Sequence, residues 1–184
     1  GSPVHTRAIA VAMIAATLWT TPVEAQSLDF KGVPWGASPE AFLQAFPKAS
    51  YAACNYKNKK EKSFTCFVFG VTYANQYPKL LSVKFRDRGL FEVLMIIEPE
   101  QAEPIRQALV DKYGPPTKLK APPMQSAMGV KVTGLSAFWQ FKGGDTISLE
   151  KYNDRIDEGY LSLSSPAREA ELMDKVNALP KKDI

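Results

Sequence analysis

The chain has 184 residues, 23 Lys and Arg against 19 Asp and Glu, a formal net charge of +4 and 45% apolar residues, the composition of an ordinary globular domain with no demand for nucleic acid. It holds one histidine, His5, and two cysteines, Cys54 and Cys66. Without the N-terminal segment that holds His5, no Ser-His-Asp triad, Cys-His dyad or His-ligated metal site can be built, and two thiols are too few for a Cys-only zinc site.

Gly1-Ser2 reads as a cloning remnant. His5 and Arg7 then lead into the apolar run Ala8 to Ala16, shorter than the roughly 20 residues a spanning helix needs. Thr20-Thr21-Pro22 breaks the run, and Val23-Glu24-Ala25 offers small residues where a signal peptidase reads. Residues 1–25 are therefore expected to be remnant plus cleavable signal, with cleavage before Gln26; an N-terminal buried helix is the alternative. Residues 26–184 are expected to form a single α+β domain, periplasmic or secreted and not membrane-spanning. In that oxidising setting Cys54 and Cys66 should form a disulfide.

Leu28-Asp29-Phe30 suits a short strand. Ser38-Pro39-Glu40 is a helix start, with Phe42, Ala45 and Phe46 on one face and Pro47 as the stop. From Tyr51 to Phe69 the period falls to two on either side of the polar run Lys57 to Lys62, which predicts a hairpin. With the turn near Lys60, Cys54 lies opposite Cys66 and Tyr56 opposite Phe64, a register that suits a bridge. A second hairpin follows, with Leu81, Val83 and Phe85 alternating, Asp87-Arg88-Gly89 turning, and Leu90 to Ile97 apolar on both faces as in a central strand.

Glu98-Pro99-Glu100 opens a second helix lined by Ile105, Ala108, Leu109 and Tyr113 and ended by Gly114-Pro115-Pro116. Residues 114–134 carry four prolines, two methionines and three glycines without a period, and are expected to be a long functional or slack loop. Leu135 to Phe141, Ile147 to Leu149 and Tyr160 to Leu163 then read as strands. Ser165-Pro166 caps a last helix through about Ala178, with Ala170, Met173, Val176 and Leu179 inward. The order predicts an α+β fold, an antiparallel sheet with helices on one face, arranged as a tandem helix-then-β-meander repeat.

The stretch Gly32-Val33-Pro34-Trp35-Gly36-Ala37-Ser38-Pro39-Glu40 running to Phe46-Pro47, with the repeated element order, resembles small bacterial envelope proteins of the SmpA/OmlA and β-lactamase-inhibitor-like kind. The resemblance implies a sheet packed under two helices that holds another protein by its sheet face or loops. SmpA/OmlA-type members begin their mature chain with a lipidated cysteine, whereas Gln26 stands at that place here.

Four groups of residues are candidates for chemistry. Asp145, Glu150, Asp154, Asp157 and Glu158 could supply a carboxylate pair for glycan hydrolysis, against their ordinary reading as turn and solvent-facing residues. The Lys57 to Lys62 run with neighbouring aromatics superficially suits nucleic acid or anionic lipid, but a charged hairpin tip is common on surfaces. Cys54 and Cys66 lack the Cys-x-x-Cys spacing of a redox couple and favour a structural bridge. Trp35, Tyr77, Tyr152 and the Met124 and Met128 of the long loop are the expected contact surface, since exposed aromatics and methionines anchor interfaces. The leading expectation is a non-catalytic binding module without cofactor or metal, whose partner is another envelope or secreted protein. A histidine-free carboxylate hydrolase acting on envelope glycans is the alternative.

Overall fold

A computed structural model describes residues 27–60 and 62–179. The expected signal segment and its cleavage point before Gln26 lie outside the described residues. Ser38 starts the first helix, α1 (Pro39–Ala45): its Oγ accepts the Ala41 N–H at 3.1 Å, Pro39 fills the first turn and Glu40 adds a favourable charge. Phe42 enters the core and Pro47 prevents a further turn.

Two hairpins follow, β1 (Ser50–Asn58) with β2 (Ser63–Phe69), then β3 (Leu80–Arg86) with β4 (Gly89–Ile97). A 3-10 turn at Pro99–Gln101 leads into α2 (Ala102–Tyr113), where Gln101 and Glu98 cap each other reciprocally. Three short strands come next, β5 (Lys118–Lys120), β6 (Pro123–Gln125) and β7 (Lys131–Thr133), then β8 (Ser136–Gln140), β9 (Thr146–Glu150), β10 (Gly159–Ser164) and α3 (Pro166–Asn177).

Eight strands make one antiparallel sheet in the order β1-β2-β3-β4-β10-β9-β8-β5, and β6 pairs with β7 apart from it. Each half is a helix followed by a four-stranded meander: α1 with β1 to β4, and α2 with β5, β8, β9 and β10. The halves join through their last strands, with Val93 opposite Leu163 and Met95 opposite Leu161. The α+β class, the antiparallel sheet and the helix-then-meander order expected from the sequence are those the chain adopts.

Strand alternation sends one set of side chains to a common core: Cys66 and Val68, Leu81 and Val83, Val93 and Met95, Leu161 and Leu163, Ile147 and Leu149, and Ala137 and Trp139. Phe42 of α1 and Ile105 and Leu109 of α2 cover this face, and a single buried cluster runs through both halves. Fully burying side chains of this size is worth about 1.5–3 kcal/mol each, so the seam between β4 and β10 couples the halves. The third helix lies elsewhere. Arg86 and Gly89 share a register pair on the opposite side of the sheet, and a Cβ on Gly89 would sit 2.6 Å from Leu172 Cδ2. Arg86 also reaches Glu169 at 3.3 Å and stacks over Phe91. So α3 closes one corner of the second face.

Cys54 and Cys66 are direct cross-strand partners and are bonded, and Tyr56 pairs with Phe64, as the sequence register required. Four details differ from expectation. Residues 114–134 are not an unstructured loop; they hold β5, β6 and β7, strands of three residues each, too short and too interrupted by proline to display a period. In α3 the buried side chains are Leu172 and Val176, while Ala170 and Leu179 are exposed, because the helix packs on the Gly89 corner and not on the main core. Leu28-Asp29-Phe30 contributes a single bridge, Phe30 to Val33. The β3–β4 turn is Asp87-Arg88 alone, both at positive φ (45° and 62°), the geometry of a type I′ turn; Gly89 belongs to β4 and is small for the sake of Leu172.

Candidate protein-binding face

Among the described residues α1 and α2 cover one side of the sheet and α3 only a corner of the other, which leaves a broad open face. Its residues follow from register. One row across the strands reads Phe67, Ser82, Leu94, Ser162, Ser148 and Phe138; the next reads Leu80, Ile96, Tyr160, Glu150 and Ser136. Phe69, on the same face of β2, is 64% exposed and Leu80 is 38% exposed. Leu94, Ile96, Phe138 and Tyr160 are half-buried. An open face normally carries polar side chains, so an apolar and aromatic set placed there is the informative departure.

Between the large residues the floor is lined by serine. Ser82, between its register neighbours Phe67 and Leu94, is only 4% exposed. The polar groups of the face satisfy one another. Lys84 reaches Glu92 at 3.0 Å, the Thr146 and Ser164 hydroxyls meet at 3.0 Å, and Ser136 Oγ donates to Glu150 at 2.5 Å. Burial, and then the nearby Glu150 carboxylate, push the Tyr160 phenol above the usual tyrosine range.

The expected contact residues divide between the two ends of the sheet. Tyr77, 77% exposed, lies in the β2–β3 connection, and Tyr152 follows β9 beneath Lys151. Met124 sits half-buried in β6 and Met128, 93% exposed, stands at the tip of the β6–β7 hairpin. All four belong to the end where β4 and β9 finish and β8 and β10 begin. Trp35 is at the far end, beside Gly143, Asp145 and Arg168 in a cleft of about 450 Å³. Its ring packs against the core, and its indole Nε1 is buried with no hydrogen-bond partner among the described residues.

The acidic candidates are similarly divided. Asp145 lies by Trp35, while Glu150, and Asp154, Asp157 and Glu158 of the β9–β10 connection, are at the opposite end. There Glu150 takes the Ser136 hydroxyl, Asp157 takes Arg155 at 2.5 Å and Glu158 lies 3.8 Å from Lys79. Among the described residues no three side chains of metal-binding type converge. In the basic run, Lys59 and Lys60 are exposed at the hairpin tip and Lys62 lies 3.6 Å from Asp87.

What sequence reasoning missed is the open-face set itself. A signal was present: Leu90 to Ile97 is apolar on both faces, and such a strand needs cover on both. Here α1 and α2 supply it on one side only. Comparison of the chain with protein-family models, curated proteins and solved structures finds no match.

Proposed function

We propose that the protein is an exported, non-catalytic binding module that holds another envelope or secreted protein on the open face of its sheet. The observation that carries this reading is the apolar set on that face, with Phe69 64% and Leu80 38% exposed. Contiguous apolar surface of this kind is uncommon on a monomer unless something docks there. Tyr77, Tyr152 and the Met124 and Met128 hairpin extend the surface at one end of the sheet, and Trp35 offers a separate contact at the other. The bonded cysteines suit an oxidising compartment, and among the described residues no helix is long and apolar enough to cross a membrane.

The test is a double substitution, Phe69→Asp with Leu80→Asp, against Gln107→Asp on the solvent side of α2. With circular dichroism unchanged, the open-face variant should lose every protein that co-purifies from an extract of the native envelope, and the α2 variant none. Retention by the open-face variant, or release of sugar from purified cell wall by the wild type, would sink the reading.

A further inference from the structure

We propose that the C-terminal half of the open face takes an acidic partner protein, through a segment in which one protruding apolar side chain is flanked by carboxylates. This rests on the binding-module reading above and narrows it.

Ser162 and Ser148 are neighbours in register, with Leu94 on one side and Phe138 on the other. Leu94 and Phe138 are therefore three strand spacings apart, about 14 Å at roughly 4.8 Å per strand. Two short side chains between two large ones leave a depression, bordered along β10 by Tyr160. An aromatic or long aliphatic side chain fits such a depression, and a central anchor in a desolvated hollow is where interface energy concentrates.

The lysines beside the hollow outnumber the one carboxylate of the adjoining row, Glu150. Lys118 pairs in register with Phe138 and Lys120 with Ser136, so both lysines belong to the open face, while Leu119 points the other way and is 54% exposed. All three residues of β5 are exposed, as is Lys131 in the adjoining hairpin. None of these lysines meets a carboxylate among the described residues. The acid of the same row, Glu150, is engaged by Ser136.

Lysines on an edge strand also discourage edge-to-edge association. That role asks only for charge on the strand, whereas these two fall at the positions that face the hollow. A second copy of the chain is disfavoured as occupant, because each copy carries +4 and would bring like charges together. A nucleic acid is disfavoured because the cations line one edge and do not track across the face.

The experiment places a photo-cross-linking benzoyl-phenylalanine at Ser148, and separately at Gln107 on α2, in the oxidised mature protein mixed with an extract of the native envelope. Adducts are identified by mass spectrometry. The expected result is an adduct from Ser148 alone, on a protein segment with an apolar residue within a few positions of Asp or Glu. Lys118→Glu with Lys120→Glu should cut its yield at least tenfold, while Lys142→Glu, in the β8–β9 turn, changes it less than twofold. A Ser148 adduct that the double reversal leaves intact, or one on a segment without carboxylates, on a second copy, or on nucleic acid, overturns the acidic partner and leaves the binding face standing. Adducts from Gln107 only, or from neither position, overturn both.

Discussion

The two halves of the sheet follow the same plan and protect their outer edges by different means. In the N-terminal half the helix is short, Pro39–Ala45, and the edge strand β1 has nine residues, of which Ala52 to Asn55 are exposed. Burial holds this strand weakly, and the disulfide to β2 fixes it covalently. In the C-terminal half α2 is twelve residues long, and Trp139 beneath it donates its indole N–H to Gly114 at 2.9 Å. There the edge strand β5 is three residues with two lysines, short and charged enough to resist further pairing. A common topology therefore tolerates a covalent edge on one side and a charged edge on the other, and only the charged one lies beside the serine hollow.

The comparison would break if the halves were independent. Leu161, fully buried at the β4–β10 seam, is the position that decides this. Leu161→Ala should cost about 3–4 kcal/mol, as for other large-to-small changes in a closed core. Amides of β2 and β9 should lose protection together in one transition. Separate transitions in denaturant would show two domains in contact and not one core.

The next largest effect belongs to the staple. The bridge closes a sequence separation of 12 residues, worth about 3 kcal/mol on the chain-entropy model. Cys54→Ser with Cys66→Ala should lower the free energy of unfolding by about that amount. Hydrogen exchange should rise throughout β1 and stay unchanged in β5. Equal loosening at both edges would show that the bridge acts on the whole unfolded chain and has no local task.

The hairpin that carries the staple was legible in the sequence because its information is local. Alternation on either side of a polar run set the Cys54 and Cys66 register within 12 residues. The central character of β4 was legible for the same reason. The serine hollow was not, because Leu94 and Ser162 meet only through the β4–β10 pairing, and nothing near either residue names the other. The three strands within 114–134 are not legible in the sequence, because three residues show no period. The inward face of α3 departs from the expected Ala170 and Leu179, since its contact is Gly89 of β4, far away in sequence. Among the residues proposed for contact, Tyr77 and Met128 are exposed, while Trp35 packs partly against the core.

The Gly89 contact sharpens the comparison further, since α3 packs on β3 and β4 of the N-terminal half. Gly89→Ala places a methyl 2.6 Å from Leu172 Cδ2, the far end of a flexible side chain. A cost of about 1–2 kcal/mol is expected, typical of a modest overpacking. Combining it with Leu172→Ala should recover part of that cost in a double-mutant cycle. Strict additivity would mean that α3 does not rest on this corner.

The smallest effect is absent at neutral pH and appears in alkali. Tyr73, in the N-terminal half, stacks on Phe30 with centroids 5.7 Å apart. Burial holds its phenol above the usual range, with smaller contributions from Tyr113 at the end of α2 and from Asp29. Tyr113 is raised as well, again chiefly by burial. A raised folded pKa favours the folded state while the phenol is protonated. This contribution is complete below the unfolded tyrosine value of about 10 and is lost as pH rises through the folded value. The denaturation midpoint should therefore fall between pH 9 and pH 11 in the wild type and fall less in Tyr73→Phe, with exchange rising first at the Phe30 bridge and at the C-terminal turn of α2. An equal fall in both proteins would place the alkaline weakness elsewhere and remove this tyrosine pair as a tie between the halves.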